Sequence, residues 1–285
     1  MNENNTVPDT DRITCSLCSR QCSLADGQTG FCRARRRHGG EILCSNYGCL
    51  TSMALDPIEK KPLAMYRPGS MILSVGSFGC SMDCPFCQNS AISMAGPEDI
   101  PWEYVSPEQL ADMACSLRTE GNIGVAFTYN EPLVSWEYAA DTAQLLHDRN
   151  MDAVLVSNGC VSPAAARRII PLMDAMNIDL KTFTESGYRT LGGSLSMVMD
   201  FLETAASSSA HLEITTLIVP DISDRPEDME REAAWIASLD PEIPLHITRY
   251  FPRYHYDCPA TDTALIRKIA AVAREHLSHV FIGNC

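Results

Sequence analysis

The sequence predicts an α/β fold built on a parallel sheet, preceded by a small cysteine-rich metal-binding unit, and three observations predict it. From Met71 onward, short apolar runs alternate with longer amphipathic stretches, the texture of repeated strand–helix units. The amphipathic stretches open on helix start signals. Six cysteines (Cys15, Cys18, Cys22, Cys32, Cys44, Cys49) crowd the first 66 residues among turn formers such as Asp26-Gly27 and Gly39-Gly40, where helical periodicity is scarce. The division is drawn as residues 1–66, the Cys-rich unit, and 67–285, the strand–helix domain; 285 residues can bury one large core plus such a unit.

Strands are predicted over residues 71–75, 125–128, 153–157, 177–180, 213–219, 245–248 and 280–282. Helices are predicted between them over 108–118 after Ser106-Pro107, 164–170 after Ser162-Pro163, 227–238 after Pro226, and 262–275 after Thr261. Ser or Thr at the cap satisfies orphan N–H groups, and Pro at the first helical position supplies a fixed φ suited to the helix. Such alternation gives a parallel sheet, because each crossover returns the chain right-handedly to the same side. An open doubly wound sheet and a full or partial barrel both satisfy the pattern. In either, chemistry belongs in loops at the carboxyl ends of the strands.

A formal net charge of -14 repels phosphate backbones, which argues against nucleic acid and an anionic membrane surface as partners. The run Arg33, Arg35, Arg36, Arg37, His38 is the local exception and is read as a solvated loop beside a metal site, with a docking patch as the alternative. No apolar stretch is long enough to span a bilayer, and the polar start MNENNTVPDTDR has no signal-peptide core. A cytoplasmic location is expected. Thirteen cysteines would be kept reduced there, so their clustering points to metal ligation rather than disulfides.

Directly after the first predicted strand come Cys80, Cys84 and Cys87, a C-x3-C-x2-C array on a loop. Three close thiolates can hold three corners of a 4Fe–4S cubane, and soft sulfur ligands suit iron–sulfur clusters. One iron is left open, which makes such a site catalytic. A zinc knuckle would want a fourth ligand nearby, and no cysteine follows until Cys115.

This array, with the aromatic Phe86 before its third cysteine, resembles the signature of radical S-adenosylmethionine (SAM) enzymes. The resemblance implies that SAM chelates the open iron, that an electron from the cluster cleaves it, and that a 5′-deoxyadenosyl radical abstracts hydrogen. It also implies a partial (β/α)6-type barrel and SAM contacts at later strand ends. Phe86 would pack near the adenine. Phe127-Thr128-Tyr129-Asn130-Glu131-Pro132 resembles the family's GGE motif, with Asn130 and Glu131 at the SAM ammonium. Ser157-Asn158-Gly159 is similar to a Thr-Asn-Gly motif whose Ser157 or Asn158 would reach the ribose or methionyl end. Asp179 and Lys181 would contact ribose and carboxylate, and alternation along a strand puts them on one face. The backbone at Val219 would hold the adenine edge, although Asp221 stands where relatives often have Gly. His246 matches a ribose-contacting position; a satisfied core histidine is the alternative.

Asp56-Pro57-Ile58-Glu59-Lys60-Lys61-Pro62-Leu63, Phe86-Cys87-Gln88-Asn89, Thr128 to Pro132 and Ile282-Gly283-Asn284 together resemble the radical SAM enzymes of the AmmeMemoRadiSam system, relatives of pyruvate formate-lyase activating enzyme, over about residues 12–284. The likeness implies a reduced electron donor such as flavodoxin or ferredoxin and a protein, peptide or small-molecule substrate, glycyl-radical-enzyme activation among the options. Cys15, Cys18, Cys22 and Cys32 match the family's N-terminal array, where four thiolates would close a second 4Fe–4S cluster or a zinc site. Its expected role is to fold a segment too short for a core, with electron relay as the alternative. Cys44, Cys49, Cys115 and Cys160 default to buried apolar residues. Residues 56–63 are read as a cap on the junction between the two units or a lip over the site, and Tyr250, Arg253, Tyr254, His255 and Tyr256 as substrate contacts. An electron-transfer iron–sulfur protein and a zinc-binding scaffold for a Memo-like partner stand as the competing classes.

Overall fold

The computed structural model describes residues 11–285. The expectation of an N-terminus without a signal peptide falls mainly on residues 1–10, outside the described residues. The strands are β1 (Ile13–Thr14), β2 (Ser23–Leu24), β3 (Arg35–His38), β4 (Glu41–Cys44), β5 (Cys49–Leu50), β6 (Ser52–Pro57), β7 (Met71–Gly76), β8 (Glu103–Tyr104), β9 (Asn122–Phe127), β10 (Asp152–Ser157), β11 (Ala175–Asp179), β12 (His211–Ile218), β13 (Leu245–Arg249) and β14 (Val280–Gly283). The helices are α1 (Ser90–Ser93), α2 (Pro107–Ser116), α3 (Trp136–Asp148), α4 (Pro163–Ile169), α5 (Glu185–Thr190), α6 (Leu195–Ala206), α7 (Pro226–Leu239) and α8 (Thr263–Ala273). Among the described residues no helix is long and apolar enough to cross a membrane.

One eight-stranded sheet dominates, in the order β14-β13-β12-β11-β10-β9-β7-β6. From β7 to β14 the pairs are parallel and each new strand joins beside its predecessor, while β6 closes the other edge antiparallel to β7. A steady order without reversal rules out the doubly wound alternative, in which the order switches at a crevice. The result is the partial-barrel arrangement, with both edges unpaired among the described residues.

Helix starts follow the capping chemistry in part: Ser162 precedes Pro163 of α4 without a side-chain cap bond. Ser106 and Gln109 form a capping box on α2, and Ser194 caps α6 through Met197 N–H. The last helix is capped by Asp262 rather than Thr261, whose hydroxyl donates to Ile218 O at 2.6 Å and ties the helix start to β12. Two long helices, α3 and α6, were absent from the prediction. The first follows a Pro132 turn without a Ser or Thr cap bond, and its inner face is largely alanine, which blunts the periodic signal.

The main core fills the space between the outer sheet face and the helices. A second cluster of Ile58, Leu63, Ile72, Ala126, Val154 and Ala175 lies on the inner face. It corrects the expected boundary at residue 66: Ser52–Pro57 is a strand of the large sheet, and Ile58 and Leu63 help fill the barrel floor. The segment 56–63 is therefore not a lip. Asp56 accepts from Lys60 (3.0 Å), Lys61 (2.8 Å) and the Tyr129 hydroxyl (2.8 Å).

The arginine run is also corrected. It forms the first strand of a hairpin, β3 with β4, with alternate burial that places Arg35 and Arg37 inside. Arg35 forks onto both oxygens of Glu137 at 2.6 and 2.5 Å and reaches Val134 O at 2.7 Å, tying the N-terminal unit to α3.

Candidate active site

The loop that leaves β7 has little hydrogen bonding of its own; segments from elsewhere in the chain hold it. Ser77 N–H donates to Asn130 Oδ1 (2.9 Å), and Asn130 Nδ2 returns to Gly79 O (3.0 Å). Asn46 donates to Phe78 O and Arg20 to Ser81 O, each at 2.9 Å. Asp83 N–H meets Leu191 O and His255 N–H meets Pro85 O, both at 2.9 Å. Gly79 sits at φ +89°, and a Cβ there would run into the Cys32 carbonyl oxygen. Only glycine allows the N-terminal unit to press so closely on this loop.

Cys80, Cys84 and Cys87 are thereby fixed at the carboxyl end of the barrel's first parallel strand. Two N–H groups face the Cys80 sulfur: Met82 N at 3.4 Å and Asn158 Nδ2 at 3.8 Å. Burial pushes the Cys80 thiol well above its usual range, and neighbouring Glu131 adds to the effect. Burial pushes Cys84 up to about 12, against the pull of Lys181. Binding a metal must expel those protons, a cost that the charge of iron offsets. Among the described residues, no three His, Cys, Asp or Glu side chains converge on a single ion. A cubane takes its thiolates at separate corners, so its ligands need not converge as those of zinc must. The donor set, with amide N–H groups and a cation beside the sulfurs, fits an iron–sulfur cluster.

Glu131, at the end of β9, is buried, and burial raises its carboxyl pKa against three donors. Its Oε1 accepts from Ser157 Oγ (2.7 Å) and Leu133 N (2.9 Å), and its Oε2 from Asn158 N (2.8 Å). A carboxylate offers about four acceptor positions, so roughly one remains for a ligand. The Ser157 hydroxyl is used internally, donating to Glu131 and accepting from Gly159 N at 3.0 Å. Asn158 turns its side-chain amide toward Ser81 Oγ (3.3 Å) and Cys80. Asn130, bonded on both ends of its amide to the loop, braces the cluster loop rather than facing open space.

Asp179 ends β11, and Lys181 Nζ reaches its Oδ2 at 2.7 Å. Burial opposes the lysine charge, but Asp179, Cys84 and Cys87 outweigh it and hold Lys181 above the ordinary lysine value. Phe86 is buried edge-on against Tyr250 and Tyr256, with ring centroids 6.5 and 6.3 Å away. Tyr250 is itself buried, and the Tyr256 hydroxyl donates to Pro220 O at 2.8 Å. Of the five residues read as substrate contacts, these two pack on Phe86, while Arg253, Tyr254 and His255 are exposed.

Two expected contacts have their polar groups engaged within the protein. Val219 donates its N–H to Ser223 Oγ at 2.9 Å, and its carbonyl accepts from Ile222 and Ser223 N–H at 3.1 and 3.0 Å, closing its own turn. Asp221 takes φ +63° in that turn, so the left-handed conformation that glycine favours is kept without glycine. His246 is the second residue of β13, in register with Thr215 of β12. Its Nε2 meets Glu213 Oε2 at 2.5 Å and its ring stacks on Phe281. Glu213 also accepts from Ala64 and Met65 N–H at 3.0 and 2.8 Å. That is the core reading of His246.

In the N-terminal unit, Cys15 and Cys32 are buried, and Cys18 is pushed up to about 12 by burial, with Cys32, Cys160 and Cys15 adding to it. Cys22 Sγ accepts from Phe31 N at 3.5 Å. Cys160 is buried as expected, yet it lies against Ser19 Oγ at 3.5 Å, immediately after the Asn158 turn. Arg20 and Asn46, which hold the cluster loop from this unit, escaped the sequence reading; partners 61 and 32 residues apart leave no local signal.

A sequence model described as the radical SAM superfamily matches residues 74–233. The chain is 32% identical over 279 residues to uncharacterized protein MJ0808 of Methanocaldococcus jannaschii, covering 97% of this chain and 82% of that protein. SuiB of Streptococcus suis superposes with a TM-score of 0.57 at 10% identity, over 74% of this chain and 48% of that one. QueE of Escherichia coli gives a TM-score of 0.51 at 16% identity, over 82% and 92% of the two chains. A domain of pyruvate-formate lyase-activating enzyme from Bacteroides vulgatus gives 0.50 at 15% identity, over 56% of this chain and 99% of that one. At such identities these likenesses speak for the fold. With its sequence model matched across more than half the chain and the fold in agreement, the chain belongs to the radical SAM superfamily, an enzyme family whose cofactors are a 4Fe–4S cluster and S-adenosylmethionine.

Proposed function

We propose that Cys80, Cys84 and Cys87 hold the cluster and that SAM binds over it, to abstract hydrogen from a C–H bond of a protein or peptide substrate. The observation that carries this reading is the position of Asn158. Its backbone N–H is fixed by Glu131 while its side-chain amide lies against Cys80 Sγ, so three separate strand ends meet at the cysteine loop. When bound, the cluster supplies an electron and SAM the 5′-deoxyadenosyl radical that takes the hydrogen atom.

The protein's own residues bind and orient. Lys181 brings a cation beside Cys84 and Cys87 and, with Asp179, offers a charged pair to the zwitterionic end of SAM. The acceptor position left on Glu131 serves the SAM ammonium, and Ser157 fixes that carboxylate. Phe86, braced by Tyr250 and Tyr256, gives an apolar wall for the adenine and keeps water from the reacting atoms. The reductant in this reading is a flavodoxin or ferredoxin.

Cys15, Cys18, Cys22 and Cys32 in the same reading bind a second 4Fe–4S cluster or zinc that folds the N-terminal unit. Activation of a glycyl-radical enzyme is one form of the proposed chemistry, and tailoring of a peptide is another. Streptococcus suis SuiB, which shares the fold, has been solved with a precursor peptide bound. The test is anaerobic reconstitution with iron and sulfide, then dithionite and SAM. Formation of 5′-deoxyadenosine and methionine is expected, and a Cys84→Ala variant that still forms them overturns the assignment.

A further inference from the structure

Strand β6 is the outer edge of the large sheet, and both of its faces border an open cavity. Its pairing with β7 continues to Ile58 N–H donating to Ser70 O at 3.0 Å, which fixes the phase of the ladder. By alternation, Ser52, Ala54 and Asp56 turn their backbone groups toward β7, while Met53 and Leu55 turn theirs away from the sheet. Among the described residues, no backbone group outside the ladder bonds to Met53 or Leu55. Pro57, with no N–H to leave unpaired, suits such an edge.

On the concave face, Ser52 and Ala54 join Asn89, Ala91, Ile92 and Tyr129 around a cavity of about 230 Å³. It lies directly behind the cluster loop, since Ala91 and Ile92 belong to α1, three residues past Cys87. On the opposite face, Met53, Trp102, Tyr104 and Met113 line a groove of about 910 Å³. These four are among the most exposed large apolar side chains of the protein, at 38%, 41%, 60% and 38% exposure. Ser52 and Met53 border both cavities. Of the two charged side chains lining the groove, both acidic, Asp112 is paired with Arg149 at 2.9 Å and Glu103 is left exposed.

We infer that β6 is the docking strand for the substrate, an extended polypeptide segment with apolar alternate residues and basic flanks. The inference rests on the proposed radical site and names its substrate class. A strand added beside β6 takes main-chain bonds from Met53 and Leu55 and sends successive side chains to opposite faces. One set enters the Met53, Trp102, Tyr104 and Met113 groove. The other enters the cavity beside Tyr129, behind the cluster loop. A compact small molecule would use one cavity and leave the unpaired edge unexplained. Glu103 favours lysine or arginine at the flank of the segment that lies beside it.

The test uses reconstituted enzyme first shown to cleave SAM. The probe is a fluorescein-labelled ten-residue peptide alternating glycine with leucine or isoleucine and ending in lysine on both sides. Saturable binding is expected by anisotropy, at least ten-fold weaker for the peptide N-methylated at alternate amides and for one ending in glutamate. Trp102→Ala should weaken binding several-fold with SAM cleavage retained, as should Met53→Pro, which removes an outward N–H. No saturable binding below 1 mM, or equal binding of the methylated peptide, overturns the docking strand while leaving the SAM assignment standing. Loss of SAM cleavage in the parent enzyme overturns the radical site instead.

Discussion

The Asn158 backbone N–H donates to Glu131 Oε2 at 2.8 Å, and the same residue's side-chain amide lies 3.8 Å from Cys80 Sγ. A change at Glu131 is therefore transmitted to the cluster ligand through Asn158. Glu131→Gln keeps the volume but presents an amide donor where a second acceptor oxygen stood, leaving one buried donor without its partner. The loss is on the order of 1–3 kcal/mol. SAM cleavage should fall by roughly ten- to a hundred-fold with KM for SAM raised, while iron content and the cluster absorption stay normal. A variant with unchanged KM would show that Glu131 does not order the SAM side.

Lys181 is the cation beside Cys84 and Cys87. Reducing the cluster adds a negative charge, so a nearby cation favours the reduced state. Lys181→Met should move the cluster midpoint more negative by tens of millivolts, an order-of-magnitude figure for a partly screened charge. Potentiometric EPR titration reads it directly. A midpoint unmoved by the substitution would place the lysine outside the field of the cluster.

Gly79 and Gly39 both hold positive φ, at +89° and +57°, but differ in what surrounds them. A Cβ at Gly79 meets the Cys32 carbonyl, whereas at Gly39 nothing lies within 4 Å. Gly39→Ala should cost only the backbone term, about 1 kcal/mol. Gly79→Ala should cost about 3 kcal/mol or more, lower Tm by roughly 5–10 °C, and loosen the N-terminal unit from the cluster loop. Equal shifts in a thermal melt would mean that the two units do not press together there.

The strand-end motifs could be read from sequence because each is local: Cys80 to Cys87, Glu131, Asn158 and Asp179-Lys181 follow their own strands directly. What stayed hidden was non-local. Alternation tells which face a strand residue takes but not what it bonds there, so the sequence leaves His246 open between a ribose contact and the buried partner of Glu213 that the structure shows. The same limit concealed the floor made by Ile58 and Leu63, whose partners Ala126, Val154 and Ala175 come from three later strands. The Arg35 to His38 run was mistaken for a loop because charge outweighed alternation; Glu137, which makes burial of Arg35 tolerable, lies 102 residues away.

Glu232 on α7 is buried against β12, with Thr216 Oγ1 donating to it at 2.5 Å. Burial pushes its carboxyl up to about 8, well above the ordinary 4.5. The folded state thus holds a proton that the unfolded chain releases near pH 4.5, so stability falls as pH rises from about 4.5 and levels off above about 8. Glu232→Gln carries no such penalty and should be more stable than the parent at pH 8.5, with the two converging toward pH 5. Denaturant midpoints at the two pH values test this. A variant less stable at pH 8.5 would mean that the carboxylate is ionised and paired in the fold.

His246 offers the sharpest separation of a floor residue from a cofactor contact. Glu213, held low at about 2 by the two histidines and the Ala64 and Met65 N–H groups against the opposing effect of burial, stabilises the fold above about pH 4.5 and loses that contribution as pH falls toward 2. His246→Phe removes one of its donors and should steepen acid unfolding, shifting the midpoint to higher pH. The ring stack on Phe281 survives the change, so the packing loss is small. KM for SAM should stay within two-fold of the parent, because the His246 ring is buried, stacked on Phe281 and engaged at Nε2 by Glu213. A ten-fold rise in KM with unaltered acid stability would restore His246 to the SAM site.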